Sequence, residues 1–569
     1  MADEYAAKPG VEIDGSLLPA EIELRLERAV VEDHVSLPGM FTLRFRDPDR
    51  DLFQKAGIEI AASVRILASQ QGKEASELLI AGEVTGLEGD FGASGSHVVV
   101  RGYDHSHRLH RGRRTETYRN VTDSDIARTV AQRAGLEIGQ IDETTIVHRH
   151  VSQANASDWT FLAARAREAG YEFAVDDGKF EFRQPAEARG GPQAGDLTSE
   201  DPRQLVLGAG LESFRPRVTS AEQVTEVVVS AWDTEGKQVL TGRAPAATVS
   251  ASLAIAPSDL ASRFGDRTYS VVDRPFSTQD EVDSVAKAYA EQTASSFAEA
   301  EGVARGDPKL RAGVAISVGL TGAAFEGIYT LTSARHVFDS QGYKTHFCVS
   351  GRQIRSLLAL ASPGATNGAA QLRVPPIHGV VTALVTNVSD SRDLARVKLS
   401  FPWLSETYES DWVRVVQDGA GKERGFVMLP EVNDEVLVAF EHGDMRRPYV
   451  LGGLYNGEDV PRLGDGFVDR DAGQVQLRGF TSRNGHSLLF IDRDQHDGIS
   501  LVTGDEGLRV SLDKSETTIA IESNGDVTIE AKGDVSVRGK ALTLAARSGV
   551  SIDGGTGDVT VKGRQIRLN

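Results

Sequence analysis

The sequence predicts a mainly β protein with a few helices, and three observations predict it. Short runs alternate apolar and polar residues, as in Ile22-Glu23-Leu24-Arg25-Leu26-Glu27 and Phe41-Thr42-Leu43-Arg44-Phe45. That period of two belongs to half-buried strands. Glycine is abundant at 58 residues while aromatics make up only 6%, which favours strands, tight turns and repeats over helical bundles. Finally, Gly525, Gly533, Gly549 and Gly557 lie on one eight-residue register, with Ala541 in the missing place.

The bulk properties set the outer limits. At 569 residues the chain is too long for one core, so several domains are expected. A formal net charge of -20 argues against a free nucleic-acid binder, whose phosphate contacts need Lys and Arg. The lone cysteine, Cys348, forms no intrachain disulfide and reads as a small buried hydrophobe. Met1-Ala2-Asp3-Glu4-Tyr5 is acidic without an apolar stretch, so no secretory signal is expected. No apolar run of about 18 residues predicts a membrane span. The expected place of synthesis is therefore the cytoplasm.

Along the chain, strands dominate residues 11–110. Residues 122–135 take helical spacing, with Thr122 and Asp125 as a capping box and Gly135 as the stop. A second helix runs from about Ser157 to Gly170. Strands at Tyr171–Val175 and Lys179–Arg183 flank Asp177-Gly178, a hairpin signal. Residues 185–202 read as a linker or long loop. Strands resume near Val224–Trp232. A third helix is expected over about Thr278–Glu301, capped by Ser277 with Asp280, its apolar side carrying Val282, Val285, Tyr289 and Phe297. Strands return at 314–320, 327–335 and 343–350, and 361–376 is a second linker. Residues 377–455 then offer strands at Val380–Val388, Leu394–Phe401, Trp412–Val416, Gly425–Leu429, Glu435–Phe440 and Tyr449–Leu454. So many short strands in about 80 residues suit a small closed barrel such as an OB-fold.

Each glycine of the octad register, and Ala541 in the missing place, precedes an apolar-polar-apolar triplet. The pairs are Val527/Ile529, Val535/Val537, Leu542/Leu544, Val550/Ile552 and Val559/Val561. A unit this short buries no apolar face of its own. It must stack on its neighbours or intertwine with copies from other chains.

The barrel segment carries a specific resemblance. Leu394-Ala-Arg-Val-Lys-Leu-Ser-Phe-Pro-Trp403, Ser410-Asp411-Trp412, Gly425–Val432, Asp434–Val438, Gly443-Asp444-Met445-Arg446-Arg447-Pro448 and Gly452–Asn456 resemble the OB domain of VgrG-like and phage-tail hub-and-spike proteins of contractile injection systems. Gly102–Leu109 with Thr122–Ala127, Asp158–Leu162 with Glu168–Phe173, and Gly306–Gly313 before Gly327-Ile328-Tyr329 resemble the hub of the same family, related to phage late-control D proteins. The resemblance implies a hub of two β-barrel-like subdomains with helical insertions over 1–360 and a linker over 361–376. An OB-fold follows over 377–456, a connector over 457–485, and over 486–569 a triple-stranded intertwined β-prism in a homotrimer. It implies a PAAR-repeat tip protein, inner tube and baseplate partners, possible effector cargo, and transient contact with a target membrane. The wording of the hub motifs leans toward an extracellular or cytoplasmic particle. A secretion-type VgrG effector carrier is the alternative.

No catalytic, cofactor-binding or metal-binding residue is nominated, and no cofactor is expected. His105, His107 and His110 lie among Arg108, Arg111, Arg113 and Arg114, which would repel a cation, so a structural role is expected. His148-Arg149-His150 reads as the exposed continuation of a β-branched strand. Asp492–Gly498 is only loosely like a calcium loop, its glycine one place late, and reads as a hairpin between Leu488–Ile491 and Ile499–Val502. The main rival class is a spike with peptidoglycan hydrolase activity. Only about 30 residues, 457–486, separate barrel from repeat, too few for a glycosidase. The repeat runs nearly to Asn569, leaving no expected toxin domain. A stand-alone OB binding module would use Trp403, Tyr408 and Trp412.

Overall fold

The computed structural model of the chain describes residues 9–69, 76–93, 95–193, 201–352, 376–463 and 466–567. Met1–Tyr5, nearly all of the expected 361–376 linker, part of the 185–202 loop and Leu568 lie outside the described residues. The chain divides into two units, Met1–Asn456 and Gly457–Asn569.

An eleven-stranded sheet organises the first unit. Its order begins Leu211–Val218, Ala298–Arg305, Gly342–Val349, Ser333–Asp339, then passes to Leu26–His34, Leu37–Arg46, Gly95–Asp104, Ser76–Gly92 and Ser63–Ser69. Two sequence-distant halves therefore meet at one ladder, where His336 pairs with Val31. Each half keeps its own core. Phe41, Leu43 and Phe45 alternate inward on one side with Val64 and Ile66, as strand geometry requires. Phe297, Ile316, Tyr329 and Phe347 fill the other. The expected strand at Ile22–Glu27 is instead a short helix, Ala20–Glu23, followed by strand Leu26–His34. Ile22 still reaches the core from that helix.

Three longer helices form where capping signals stand. Helix α1, Asp123–Arg133, carries the reciprocal Thr122/Asp125 cap. Helix α2, Asp158–Ala169, starts at Ser157 and stops at Gly170, whose φ of 77° suits a residue without Cβ. The two pack on the Glu172–Asp176/Lys179–Arg183 hairpin around Trp159, Phe161, Phe180 and Phe182. Helix α3 is Gln279–Ser295, and its capping box is Thr278 with Glu281. The expected cap thus lies one residue too early. The expected end lies too late, because Ala298–Arg305 is a strand. Val282, Val285 and Tyr289 pack against Val227, Val229 and Leu240 of the hairpin beneath. A Cβ at Gly242 of that hairpin would run into the Val282 carbonyl, so glycine permits the close approach.

Strands Val380–Asn387, Arg396–Ser400, Val413–Val415, Glu435–Phe440 and Pro448–Gly453 close into a barrel. The first, second, third, fifth and fourth strands follow round the ring, and the fourth pairs back to the first. This is a five-stranded OB-type barrel. Val397, Leu399, Val436, Val438 and Val450 fill it. The expected strand Gly425–Leu429 shrinks to a two-residue ladder, Arg424–Gly425 on Ala420–Gly421. Phe426, Val427 and Met428 beyond it are exposed.

In the second unit, Leu477–Thr481, Ser487–Arg493, His496–Val502, Leu508–Asp513 and Thr518–Ser523 form an antiparallel meander. Arg493 pairs with His496, so the calcium-like segment is a tight hairpin turn. The described residues beyond Ser523 form no strand ladder within the chain.

Candidate functional site: a buried charge junction and an open apolar repeat

Two features stand out, one in each unit. The first joins the helices to the barrel. His148 opens strand His148–Ala156, and residues 142–147 before it are not a strand. The expected exposed position is corrected: His148 is only 7% exposed. Its Nε2 lies 3.0 Å from Asp123 Oδ2 of α1, and its Nδ1 lies 3.3 Å from Glu281 Oε1 of α3. Arg165 of α2 donates to both Asp123 oxygens at 2.6 and 3.1 Å. It also pairs with Glu168.

Glu168 in turn receives Arg274 and faces Arg446 of the barrel at 3.8 Å. Arg446 forms a fork on Asp444. The neighbouring Arg447 donates to the Phe276 carbonyl at 3.1 Å and the Ser277 hydroxyl at 2.6 Å. Both arginines belong to the Gly443–Pro448 motif. That motif therefore does a packing job: it seats the barrel on the Phe276–Ser277 corner that leads into α3.

The charges perturb one another as their spacing demands. Burial opposes the Asp123 carboxylate, yet Arg165 and His148 hold it down at about 2. Burial likewise opposes Glu281, and His148, the Ser277 N–H and Arg446 bring it to about 2. Burial disfavours a charged His148, but hydrogen bonds to Asp123 and Glu281 raise its pKa overall.

The barrel has further ties. Tyr408, 4% exposed, shares a hydrogen bond with Ser152 at 3.1 Å. Arg119 reaches Glu409 at 3.2 Å, and Ala154 enters the barrel core. Trp403 donates its indole N–H to the Thr382 carbonyl, while Arg396 and Lys398 lie over the Trp412 ring. The three aromatics a free binding module would use thus have separate structural contacts.

Two of the clustered histidines, His105 and His107, face the same carboxylate, Glu83, with His105 at 3.8 Å, while His110 stands apart. His107 approaches Glu83 at 2.9 Å beside Arg108, and His110 stacks on Trp159 at 4.5 Å. Asp104 accepts from Gly39 and Ser106 N–H groups, and burial pushes it up to about 6. Sequence reasoning missed Glu83 because it sits across the ladder, opposite Tyr103. Among the described residues no group of three or more His, Cys, Asp or Glu is arranged to hold a metal. Cys348 is half-buried, and burial raises its thiol pKa.

The second feature is the octad repeat. Val527, Ile529, Val535, Val537, Leu542, Leu544, Val550, Ile552, Val559 and Val561 are each 52–76% exposed. Residues two apart on an extended chain share a face, so each triplet presents a pair of uncovered aliphatic side chains.

Comparison with known proteins fits this architecture. A family described as the type VI secretion system/phage-baseplate injector OB domain matches residues 381–455, the closed barrel. The Alg8 N-terminal domain matches residues 66–339. The type VI secretion system spike protein VgrG1c of Pseudomonas aeruginosa is 28% identical over 213 residues, 33% of this chain and 29% of that protein. VgrG1a of the same organism is 36% identical over 98 residues, 16% of this chain and 15% of that protein.

The chain resembles the VgrG-like hub-and-spike proteins, most specifically through this OB barrel.

Its alignments span less than a third of those VgrG relatives' lengths. The VgrG-type fold itself extends further. A structure of the Francisella PdpA–VgrG complex in its half-lidded form aligns with TM-score 0.52 at 10% identity, over 90% of this chain and 88% of that one. No helix among the described residues is long and apolar enough to cross a membrane.

Proposed function

We propose that this chain is the central spike of a bacterial contractile injection system and acts mechanically. Three copies wind their octad repeats about one axis, the hub joins tube to baseplate, and the needle punctures the target envelope. The observation that carries this reading is the exposed aliphatic repeat from Val527 to Val561. Monomeric proteins rarely leave so much apolar surface open. Three identical chains supply the missing partners, each octad burying its aliphatic pair against two copies. The barrel, tied to the hub by buried charges, then forms a collar on the hub.

The partners that follow are inner tube and baseplate proteins at the hub and a PAAR-type cap at the C-terminal end of the needle. Effector cargo travels with the tip. The particle is cytoplasmic or released. The secretion-type carrier is the second reading, favoured by relatives that are type VI spikes.

The mechanical reading is tested against the hydrolase alternative with a peptidoglycan suspension. The purified chain is expected to leave its turbidity at the buffer level. Clearing that one carboxylate substitution abolishes would replace the mechanical reading with an enzymatic one.

A further inference from the structure

The junction around His148 is balanced only in one protonation state. Four cations, His148, Arg165, Arg274 and Arg446, contact four carboxylates, Asp123, Glu168, Glu281 and Asp444. With neutral imidazole, four anions face three cations. An uncompensated charge is costly among side chains this buried. Two more carboxylates lie nearby, Glu143 on the α1 side and Asp273 beside Arg274, but both are exposed and screened by solvent. Arg165 also approaches His148 Nε2 at 2.8 Å, which opposes protonation. The two carboxylates bracketing the ring, one on each nitrogen, outweigh it.

The charge on His148 is connected to the barrel through Glu281. One oxygen of Glu281 faces His148, and the other accepts the Ser277 and Thr278 N–H groups at 2.6 and 3.2 Å. The Phe276–Ser277 corner fixed in this way is the corner that receives Arg447. A cavity of about 320 Å³ touches Asp123, Glu143, His148, Glu281 and Arg446. It has room for several waters, so protons reach the ring although the side chain is buried.

We propose that protonation of His148 is a latch: the charged imidazole holds Glu281 and the Phe276–Ser277 corner in place and so fastens the barrel segment 441–448 to the hub, and loss of the proton loosens it. The direction of the pH response follows from the shifts. The pKa of His148 is raised above 6.5, so its contribution is complete below that value and disappears as pH rises through the folded pKa. Asp123 and Glu281, both held at about 2, lose their contributions as pH falls from the ordinary carboxylate range toward that value. The junction is tightest between the two limits, in mildly acidic solution.

Hydrogen exchange of the full-length chain from about pH 6 to about pH 9 tests the latch across the imidazole range. Rates at residues 276–281 and 441–448 are corrected for intrinsic pH dependence. Wild type is expected to show exchange rising by about tenfold for each unit separating the folded from the unfolded imidazole pKa. His148→Gln is expected to exchange at the raised level throughout, without a transition. Should that variant fail to fold, Glu281→Gln keeps the ring but removes one bracketing carboxylate, and its transition is expected at lower pH than in wild type. A flat wild-type profile, the same transition in His148→Gln, or an unmoved midpoint in Glu281→Gln overturns the latch.

Discussion

Replacing Val535 and Val537 together with Asp is expected to abolish the needle while hub and barrel remain folded. Both residues share one face of their octad, 59% and 71% exposed in the single chain. In the proposed trimer that face turns to the axis, so the double substitution places six carboxylates around one level of it. A buried unpaired carboxylate either costs several kcal/mol or takes up a proton, and six within reach of one another add mutual repulsion. Apolar burial of roughly 25 cal/mol per Å² at that level is lost as well. The neighbouring Ser536 points the other way along an extended strand, so Ser536→Asp is the matched control and is expected to be near neutral. Protease digestion reads the result: the region after about Ser523 should become sensitive in the double variant only. Full thermal stability and injection activity in that variant would mean that these side chains do not face the axis.

The second large effect is expected at the barrel seat. Arg446→Met removes the cation between Asp444 and Glu168 while keeping much of the aliphatic stem. Glu168 retains Arg165 and Arg274, but Asp444 loses the fork that balances its partly buried charge. Breaking one side of a buried pair costs about 3 kcal/mol or more. The expected outcome is a separate, earlier melting transition for the barrel and faster proteolysis between hub and barrel. Asp444→Asn in the Arg446→Met background should restore part of the loss, since it removes the stranded charge. Unchanged melting of Arg446→Met would show that the apolar and Tyr408 contacts suffice to seat the barrel.

Sequence patterns disclosed the local structure and missed the long-range chemistry. The barrel was legible because Val436, Val438 and Phe440 alternate inward with half-exposed neighbours. Helices α1 and α2 were legible because Thr122, Ser157 and Gly170 are local signals acting within one turn. The end of α3 was not. Ala294, Phe297 and Ala298 suit either period, and the sheet claimed 298–305 through pairing with Gly342–Val349, which no local pattern records. The charge junction escaped because its partners are 42 residues apart for Arg165 and Asp123 and 133 apart for His148 and Glu281. A histidine at the end of a β-branched run looked like exposed strand until the fold brought the carboxylates to it. For the octad repeat the expectation and the single chain differ. The register of glycines and aliphatic pairs predicts a strand repeat, whereas the described residues beyond Ser523 have no ladder of their own.

The central claim, that the repeat is one third of an intertwined needle, is tested most directly by the mass of the purified full-length chain in solution. Light scattering coupled to size exclusion at micromolar concentration should report three times the 61.1 kDa of one chain, unchanged on dilution. A stable species at the mass of a single chain, with the Val527–Val561 face still in water, would contradict it.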